Sequence, residues 1–188
     1  MHALSGGFQG AKGRKDQVAL SQIELLIGNA ACALSWFAMN VAVACDHAGF
    51  ALKGQAIEEL RKEGHQVSDL GTNSTAAVDY PDYAKAVADA VLSKRAERAV
   101  LICGSGAGAC VAANKFKGIR AATCHDTFSA HQCVEDDDVN VLCLGARVIG
   151  PELAVEVIRV FAKAVFSGLE RHSRRVGKIK AFEEAFGK

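Results

Sequence analysis

From Val41 onward, short continuous runs of apolar residues alternate with longer stretches in which apolar residues recur with a helical period. The first run, VAVAC at 41–45, is apolar throughout, which is typical of a strand buried on both faces of a sheet. In the next stretch Leu52, Ala56 and Leu60 fall on one helical face, and Gly64 is a suitable stop. This pattern predicts a strand followed directly by an amphipathic helix.

The same alternation continues to the end of the chain. Strands are predicted at residues 41–45, 65–71, 98–103, 119–124 and 139–145. Helices are predicted at residues 50–64, 79–94, 108–116, 127–135, 150–166 and 170–186. Asp126 or Thr127 is expected to cap the fourth helix, and Pro151 to lie in the first turn of the fifth. Strands that alternate with helices predict an α/β fold, a three-layer Rossmann-like sandwich around a five-stranded parallel sheet.

The first 38 residues do not follow this pattern. They begin with a glycine-rich basic stretch, and the apolar stretch after it is interrupted by Glu24, Asn29 and Ser35. The segment loosely fits a secretory signal, but the interruptions argue against a membrane span. An accessory helix is a second interpretation. The third, which we adopt, is that Met39 is the natural start, with 1–38 an upstream extension and 39–188 the functional domain.

Composition narrows the function classes. The chain has 188 residues, a length typical of one domain, and a net charge of +1, which gives no overall attraction to nucleic acid or membrane. Its seven cysteines are odd in number and form no CxxC pair. This usage indicates a reducing compartment, here the cytoplasm, and argues against a disulfide framework or a zinc site. No metal site and no cofactor are expected.

Residues with chemical potential follow the predicted strands. In a parallel sheet ligands bind outside the carboxyl ends of the strands. Asp46 and His47 follow the first strand, and a glycine-rich turn that opens with Cys103 follows the third. The fourth strand is followed by His125. An acid, a histidine and a thiol beside an anion-holding turn would therefore meet at one edge of the sheet.

The turn itself, CGSGAGA, has three interpretations. Gly104, Gly106 and Ala109 match a degenerate dinucleotide fingerprint, with Asp126 as its distant acid. That fingerprint usually occupies the first strand–helix unit, whereas this turn lies in the third. The turn could instead cradle an oxyanion beside Cys103, or it could simply need glycine for its backbone angles. The turn alone leaves all three open.

Six ordered motifs carry a resemblance to a known family. They are CDHAGF, DLGT, DYPDYA, ICGSGAGACVAANKFKGIRAA, NVLCLGARVIG and RHSRRV. Together they resemble the ribose-5-phosphate isomerase B and galactose-6-phosphate isomerase family over residues 41–186. The resemblance implies aldose–ketose isomerisation of a sugar phosphate through a cis-enediolate, without metal or cofactor. It also implies a homodimer whose active sites combine residues of both subunits, with the C-terminal helix packed on the partner; a tetramer is the alternative.

The resemblance assigns catalytic roles by position. Cys103 matches the family cysteine that removes the carbon-bound proton, and Ala109 stands where other members carry a catalytic glutamate. Ser105 matches a residue that holds the enediolate oxygens. The backbone N–H groups that complete this cradle belong to Gly104, Gly106, Ala107 and Gly108.

Substrate-binding roles follow in the same way. Asp46 and His47 match residues that contact the sugar and its phosphate, and Arg147, Arg171 and Arg175 match phosphate-binding arginines. The fork of an arginine suits a phosphate, and residues four apart share one face of a helix. A nucleic-acid patch or a merely solvated helix face are the rival interpretations of this basic stretch. His172 and His65 are interpreted as surface or packing residues.

One position departs from the family. Just before the fifth strand the family carries a histidine that opens the sugar ring and then an asparagine, but this chain has Asp136 and Asp137. By position Asp136 remains a catalytic candidate and Asp137 a substrate-binding one. His125 or His131 could take over ring opening. Alternatively, the acidic run Glu135–Asp138 could be a solvated loop. The substrate could also lack a ring, as a four-carbon keto-sugar phosphate does.

Ribose 5-phosphate is the default substrate on this evidence. A tetrulose or hexose phosphate is the alternative within the class. A nicotinamide-dependent oxidoreductase and a catalytically inactive phosphosugar sensor are the alternatives outside it. A phosphorylated sugar is thus the expected partner, and neither nucleic acid nor membrane is expected.

Overall fold

The computed structural model of the protein describes residues 38–186. The predicted extension therefore lies, apart from Ala38, outside the described residues. Within them, five strands form one all-parallel sheet in the order β2-β1-β3-β5-β4. The strands are β1 Asn40–Cys45, β2 Gln66–Asp69, β3 Arg98–Cys103, β4 Ala121–Thr123 and β5 Val141–Gly145. The helices are α1 Phe50–Lys62, α2 Tyr80–Leu92, α3 Ala107–Ala113, α4 Thr127–Asp137, α5 Pro151–Lys163 and α6 Glu170–Phe186.

Alternate residues of the central strands supply two separate cores. Val41 and Val43 of β1 face a layer formed by α1, α4 and α5, whereas Ala42 and Ala44 face α2 and α3. The first core contains large side chains such as Phe161. The second is rich in alanine, so α2 and α3 pack closely on the sheet. This arrangement confirms the predicted three-layer parallel sandwich.

The edge strands are shorter than predicted. β2 covers residues 66–69 of the predicted 65–71, and β4 covers residues 121–123 of the predicted 119–124. An edge strand pairs on one side only, so its flanking apolar residues remain irregular. The central strands, which pair on both sides, end within one or two residues of the prediction.

Helix ends follow the local chemistry of the sequence. Gly64 has φ +88° just beyond α1, as a left-handed stop requires. The Asp126 carboxylate accepts a hydrogen bond from the Ser129 N–H at 2.7 Å, which confirms it as the cap of α4. α5 begins at Pro151 but ends at Lys163, before the predicted 166. The acidic run is not a loop, because α4 continues through Asp137.

Among residues 38–186 no helix is both long enough and apolar enough to cross a bilayer.

The order of the strands in the sheet reverses between β1 and β3. The helices that follow these two strands, α1 and α3, lie on opposite faces of the sheet. A crevice opens at such a switch point, outside the carboxyl ends of the two strands. The fold thus places the residues after β1 beside the turn after β3.

Candidate active site

A pocket of about 330 Å³ opens at this switch point. We call it the turn pocket; it is lined by Asp46, His47, Ala48, Tyr80, Cys103, Gly104, Ser105, Gly108, Arg147 and Val148. Seven of these residues were singled out from the sequence. Tyr80, Ala48 and Val148 were not, and Tyr80 carried a signal only as part of the DYPDYA motif.

The glycine turn holds the sulfur of Cys103 by its backbone. The N–H of Gly106 donates to Cys103 Sγ at 3.1 Å, and Cys103 is only 5% exposed. Gly106 has φ +82°, and a Cβ there would lie 2.9 Å from Thr123 Cγ2. Glycine is therefore required by both conformation and space. Ala107 N–H donates to Ser105 Oγ at 3.3 Å, so the serine side chain is held in the same turn.

Close packing closes two sides of the turn. A Cβ on Gly108 would lie 2.9 Å from Tyr80 Cζ, so the tyrosine ring lies against the turn. A Cβ on Gly145 would lie 2.6 Å from the backbone of Ser105. The end of β5 thus packs directly on the serine, and larger residues at either glycine would displace the turn.

Asp46 and His47 are held by backbone donors. Asp46 is buried, and its Oδ1 accepts from the N–H groups of Ala48 at 2.9 Å and Gly49 at 3.0 Å. His47 Nδ1 accepts from the Val78 N–H at 3.3 Å. Because Nδ1 is an acceptor, the proton of the neutral ring lies on Nε2, where it can be donated to an anion.

Arg147 brings a fixed positive charge to the turn. Its backbone N–H donates to the Gly104 carbonyl at 3.0 Å. Its side chain lies over the same residue, since a Cβ on Gly104 would be 3.6 Å from Arg147 Cζ. The pocket therefore combines a thiol, backbone donors and a guanidinium, with His47 as a further donor.

Six predicted residues do not line the turn pocket of this chain: Gly106 and Ala107, which belong to the turn itself, and Asp136, Asp137, Arg171 and Arg175, which lie farther along the chain. Asp136 and Arg171 meet instead around His172, and we call these three residues the arginine group. His172 is 3% exposed, and its Nδ1 lies 3.3 Å from Asp136 Oδ1. Its Nε2 accepts from Arg171 Nε at 2.8 Å. His172 is buried, as a packing residue would be, but it also joins two predicted site residues.

Arg175 is exposed on α6, and Asp137 lines a different cavity of about 610 Å³ between α4, β4 and α6. The alternative ring-opening histidines do not line the turn pocket either. His125 Nε2 accepts from the Gly145 N–H at 2.9 Å, and His131 pairs with Glu135 at 3.2 Å.

The other described thiols lie elsewhere. Cys45, Cys124 and Cys143 are buried, and burial raises the pKa of Cys45 to about 11. Cys110 is half-buried, and hydrogen bonds from Cys143 first, and also from Thr123 and Asn114, lower its pKa to about 6. Within residues 38–186 no group of three or more His, Cys, Asp or Glu side chains is arranged to hold a metal ion.

A strand-end thiol beside backbone donors and an arginine can move a proton on a bound anion, which is the arrangement of a proton-transfer enzyme acting on a phosphorylated substrate. The ribose/galactose isomerase family model matches residues 41–179. The chain belongs to this family.

Three similar proteins illustrate the match. Ribose-5-phosphate isomerase B of Escherichia coli is 43% identical over 145 residues, which cover 77% of this chain and 97% of the relative. D-erythrulose-4-phosphate isomerase of Pectobacterium atrosepticum is 41% identical over 131 residues, which cover 69% and 86%. The structure of ribose-5-phosphate isomerase B of Clostridium thermocellum superposes with a TM-score of 0.76 at 42% identity, covering 79% and 99%.

Proposed function

We propose that this protein interconverts the aldose and ketose forms of a sugar phosphate by proton transfer through a cis-enediolate, without a cofactor. The observation that carries the proposal is the position of Cys103 Sγ, which lies in the turn pocket within hydrogen-bond distance of the Gly106 N–H. Family membership supports the same reaction and disfavours the nicotinamide alternative.

The chemistry balances within the pocket. The Cys103 thiolate takes the proton from the carbon beside the carbonyl, and the electron pair moves onto the carbonyl oxygen as the enediolate forms. The thiol then returns a proton to the former carbonyl carbon, while the hydroxyl proton on the neighbouring oxygen passes to the former carbonyl oxygen, so the carbonyl re-forms one position along. Ser105 and the N–H groups of Gly104 and Gly108, which line the pocket, would supply the donors for the enediolate oxygens. The N–H groups of Gly106 and Ala107 hold the Cys103 sulfur and the Ser105 hydroxyl in place.

A positioned base and positioned oxyanion donors would each increase the rate substantially. A positioned base contributes typically ~10²–10⁴-fold to the rate. Each oxyanion donor contributes about 10²–10³-fold, because it is already oriented before charge develops. The rigid turn suits this task, since its donors belong to backbone fixed by the sheet.

Phosphate binding requires more than this pocket. Arg147 and His47 Nε2 are in place, whereas Arg171 and Arg175 lie on α6 outside the lining. We therefore propose a homodimer in which the arginines of one subunit complete the turn pocket of the other, with a tetramer as the alternative. An apolar row on α6 supports a covered helix, since Ile179, Phe182 and Phe186 are exposed to 39%, 61% and 82% in the single chain.

Mixing two impaired variants tests this arrangement. A Cys103→Ser chain and an Arg171→Ala chain are unfolded together, refolded and assayed at substrate concentrations well below the wild-type KM, where both variants are slow. If sites combine both subunits, each mixed dimer regains one intact site, and about a quarter of wild-type activity returns. If each site lies within one chain, every site keeps a defect and activity stays at the level of the two variants. A fully active monomer in light scattering would also contradict the proposal.

Ribose 5-phosphate is the first candidate substrate, as for the Escherichia coli relative. A tetrulose phosphate is the second candidate, and Asp136 favours it. A substrate that is open-chain in water needs no ring-opening histidine, and the Pectobacterium atrosepticum relative is named for such a substrate.

A panel of aldose and ketose phosphates of four to six carbons tests both candidates. Isomerisation and solvent-proton exchange are measured for each, with Cys103→Ser as the matched control. Binding without proton exchange would indicate a sensor, and a fluorescence change with NAD(P)H would indicate the oxidoreductase alternative. We also propose a cytoplasmic location, because the base must remain a reduced thiol.

A further inference from the structure

We propose that His172 is a positioning residue: Asp136 holds its ring, and the ring in turn orients the guanidinium of Arg171 toward the substrate phosphate. Asp136 thus anchors a phosphate-binding arginine in this chain instead of opening a sugar ring. The inference rests on the proposed function, because it takes Arg171 to bind phosphate.

The hydrogen bonds of His172 determine its tautomer. Arginine is always charged and has only donors, so the 2.8 Å contact from Arg171 Nε makes His172 Nε2 an acceptor. The proton of the neutral ring therefore lies on Nδ1. This N–H donates to Ser167 Oγ at 2.7 Å, and Asp136 Oδ1 lies 3.3 Å from the same nitrogen, where its negative charge favours a proton on Nδ1. The ring cannot turn over without losing these contacts.

Asp136 is itself fixed from the other side. Gln132 Nε2, one helical turn earlier on α4, donates to Asp136 Oδ2 at 3.3 Å. The carboxylate thus joins α4 to the start of α6, and His172 is nearly inaccessible to water. Ser167 Oγ would remain as an acceptor if the carboxylate were removed, so Asp136 contributes to holding the ring and does not hold it alone.

The hydrogen bond from Nε to His172 leaves the two terminal Nη groups of Arg171 available to bind a phosphate. Among residues 38–186 no side chain is paired with its terminal Nη groups, while Nε is used by the histidine. An exposed arginine otherwise samples many rotamers, and a bond at Nε fixes the plane of its fork. The two Nη donors can then meet a phosphate as a bidentate pair.

Positioning and simple charge make opposite predictions for Asp136→Ala. A carboxylate near a phosphate site repels the phosphate, so its removal would strengthen binding if charge alone mattered. If Asp136 orients Arg171, its removal weakens binding. The readouts are KM for the best substrate of the panel and the competitive inhibition constant of inorganic phosphate.

We expect Asp136→Ala to raise both constants roughly 3- to 30-fold, the size of a typical coupling between contacting residues, with little change in kcat for an open-chain substrate. Asp136→Asn keeps an acceptor oxygen and should restore binding. Glu135→Ala is the matched control, because it removes a neighbouring carboxylate of the same helix that pairs with His131. Unchanged or tighter binding in Asp136→Ala would overturn the proposal.

Two further variants separate the possible failures. Arg171→Lys keeps the positive charge but lacks the Nε donor, so it should lose about as much phosphate binding as is expected for Asp136→Ala. Because Arg171 is exposed, this variant should fold, and it tests the inference even if Asp136→Ala folds poorly. Wild-type phosphate binding in Arg171→Lys would overturn the inference. If Arg171→Ala also binds phosphate normally, the proposed role of Arg171 has failed. In the Arg171→Ala background, Asp136→Ala should have no further effect.

Discussion

The turn pocket and the arginine group are built from different materials. In the turn pocket the proposed reacting groups are backbone N–H groups and short side chains at strand ends, and Cys103 and Asp46 are each 5% exposed. In the arginine group the long side chain of Arg171 is exposed on α6, and its Nε donates to the buried ring of His172. The first region lies within one chain, whereas the second, in the homodimer proposed above, would act on a phosphate held by the turn pocket of the partner subunit.

The difference follows from what each region has to do. Charge that develops in a transition state needs hydrogen-bond donors that are already in place. The parallel sheet holds the turn that carries these donors, because Cys103, at the start of the turn, pairs in register with Gly145 of β5. A phosphate does not change during isomerisation, so its contacts bind substrate and transition state alike. Loss of an arginine should therefore raise KM, whereas loss of the thiol should lower kcat.

The largest expected effect comes from Cys103→Ser. Serine keeps the size of the side chain, but its hydroxyl is a much weaker acid than a thiol and cannot serve as the base near neutral pH. We expect kcat to fall about 10²–10⁴-fold, roughly 3–5 kcal/mol of barrier, with KM little changed. Thermal stability should hardly change, since the substitution opens no sizeable cavity. Steady-state kinetics on the best substrate of the panel measure both constants.

Wild-type turnover in Cys103→Ser would show that another residue is the base. The turn pocket would then no longer be supported as the place where Cys103 transfers the proton, and only family membership would still support the reaction.

The second largest effect is expected from Arg171→Ala and Arg175→Ala. Each removes charged hydrogen bonds to phosphate, typically ~1.5–3 kcal/mol, which corresponds to about 10- to 100-fold in kcat/KM. The change should appear in KM. Arg174→Ala is the matched control, because Arg174 lies on the same helix and pairs with Glu170 at 2.8 Å. An equal loss in the control would mean that the overall charge of α6 matters, not the two positions.

Sequence patterns predicted the turn pocket better than the arginine group. Asp46, His47 and Cys103 follow neighbouring strands, and the carboxyl ends of parallel strands necessarily share one edge of the sheet. The sequence does not indicate Tyr80 as a site residue, because its contact with Gly108 joins two helices that are distant in sequence. The lengths of β2 and β4 were overestimated because apolar runs do not indicate which strands lie at the edges.

No pattern in the sequence indicates that Asp136, Arg171 and His172 come together. His172 is interpreted from the sequence as a surface or packing residue, since it belongs to no predicted strand end. Its link to Asp136 joins α4 and α6 and exists only in three dimensions. The resemblance supplied Arg171 as an expectation, but only the structure shows what holds its side chain.

A smaller effect is expected from Asp136→His, which restores the family residue. The loss of the arginine anchor affects every phosphorylated substrate equally, so it cancels in a ratio. We expect the kcat/KM ratio of ribose 5-phosphate to an open-chain tetrulose phosphate to rise roughly 3- to 10-fold, well below a full acid–base contribution, since the new side chain has to find its place. An unchanged ratio, or ribose 5-phosphate already the best substrate of the wild type, would show that this position does not limit ring opening.

The smallest effect is expected from Cys110→Ser, which tests whether reactivity and catalysis coincide. The pKa of Cys110 is lowered to about 6, mainly by its hydrogen bond with Cys143, so its thiolate fraction grows as pH rises through 6 and is nearly complete at pH 8. Iodoacetamide should therefore label Cys110 as well as Cys103 at neutral pH, and labelling of Cys110 should fall away below pH 6.

A bound phosphosugar should protect only Cys103, because Cys110 does not line the turn pocket. Peptide mass spectrometry distinguishes the two, and the kcat of Cys110→Ser should stay within about twofold of wild type, as is usual for substitutions away from the reacting atoms. Substrate protection of Cys110, or a large loss of kcat in Cys110→Ser, would mean that the reacting pocket extends behind the turn and that the boundary drawn around Cys103 is wrong.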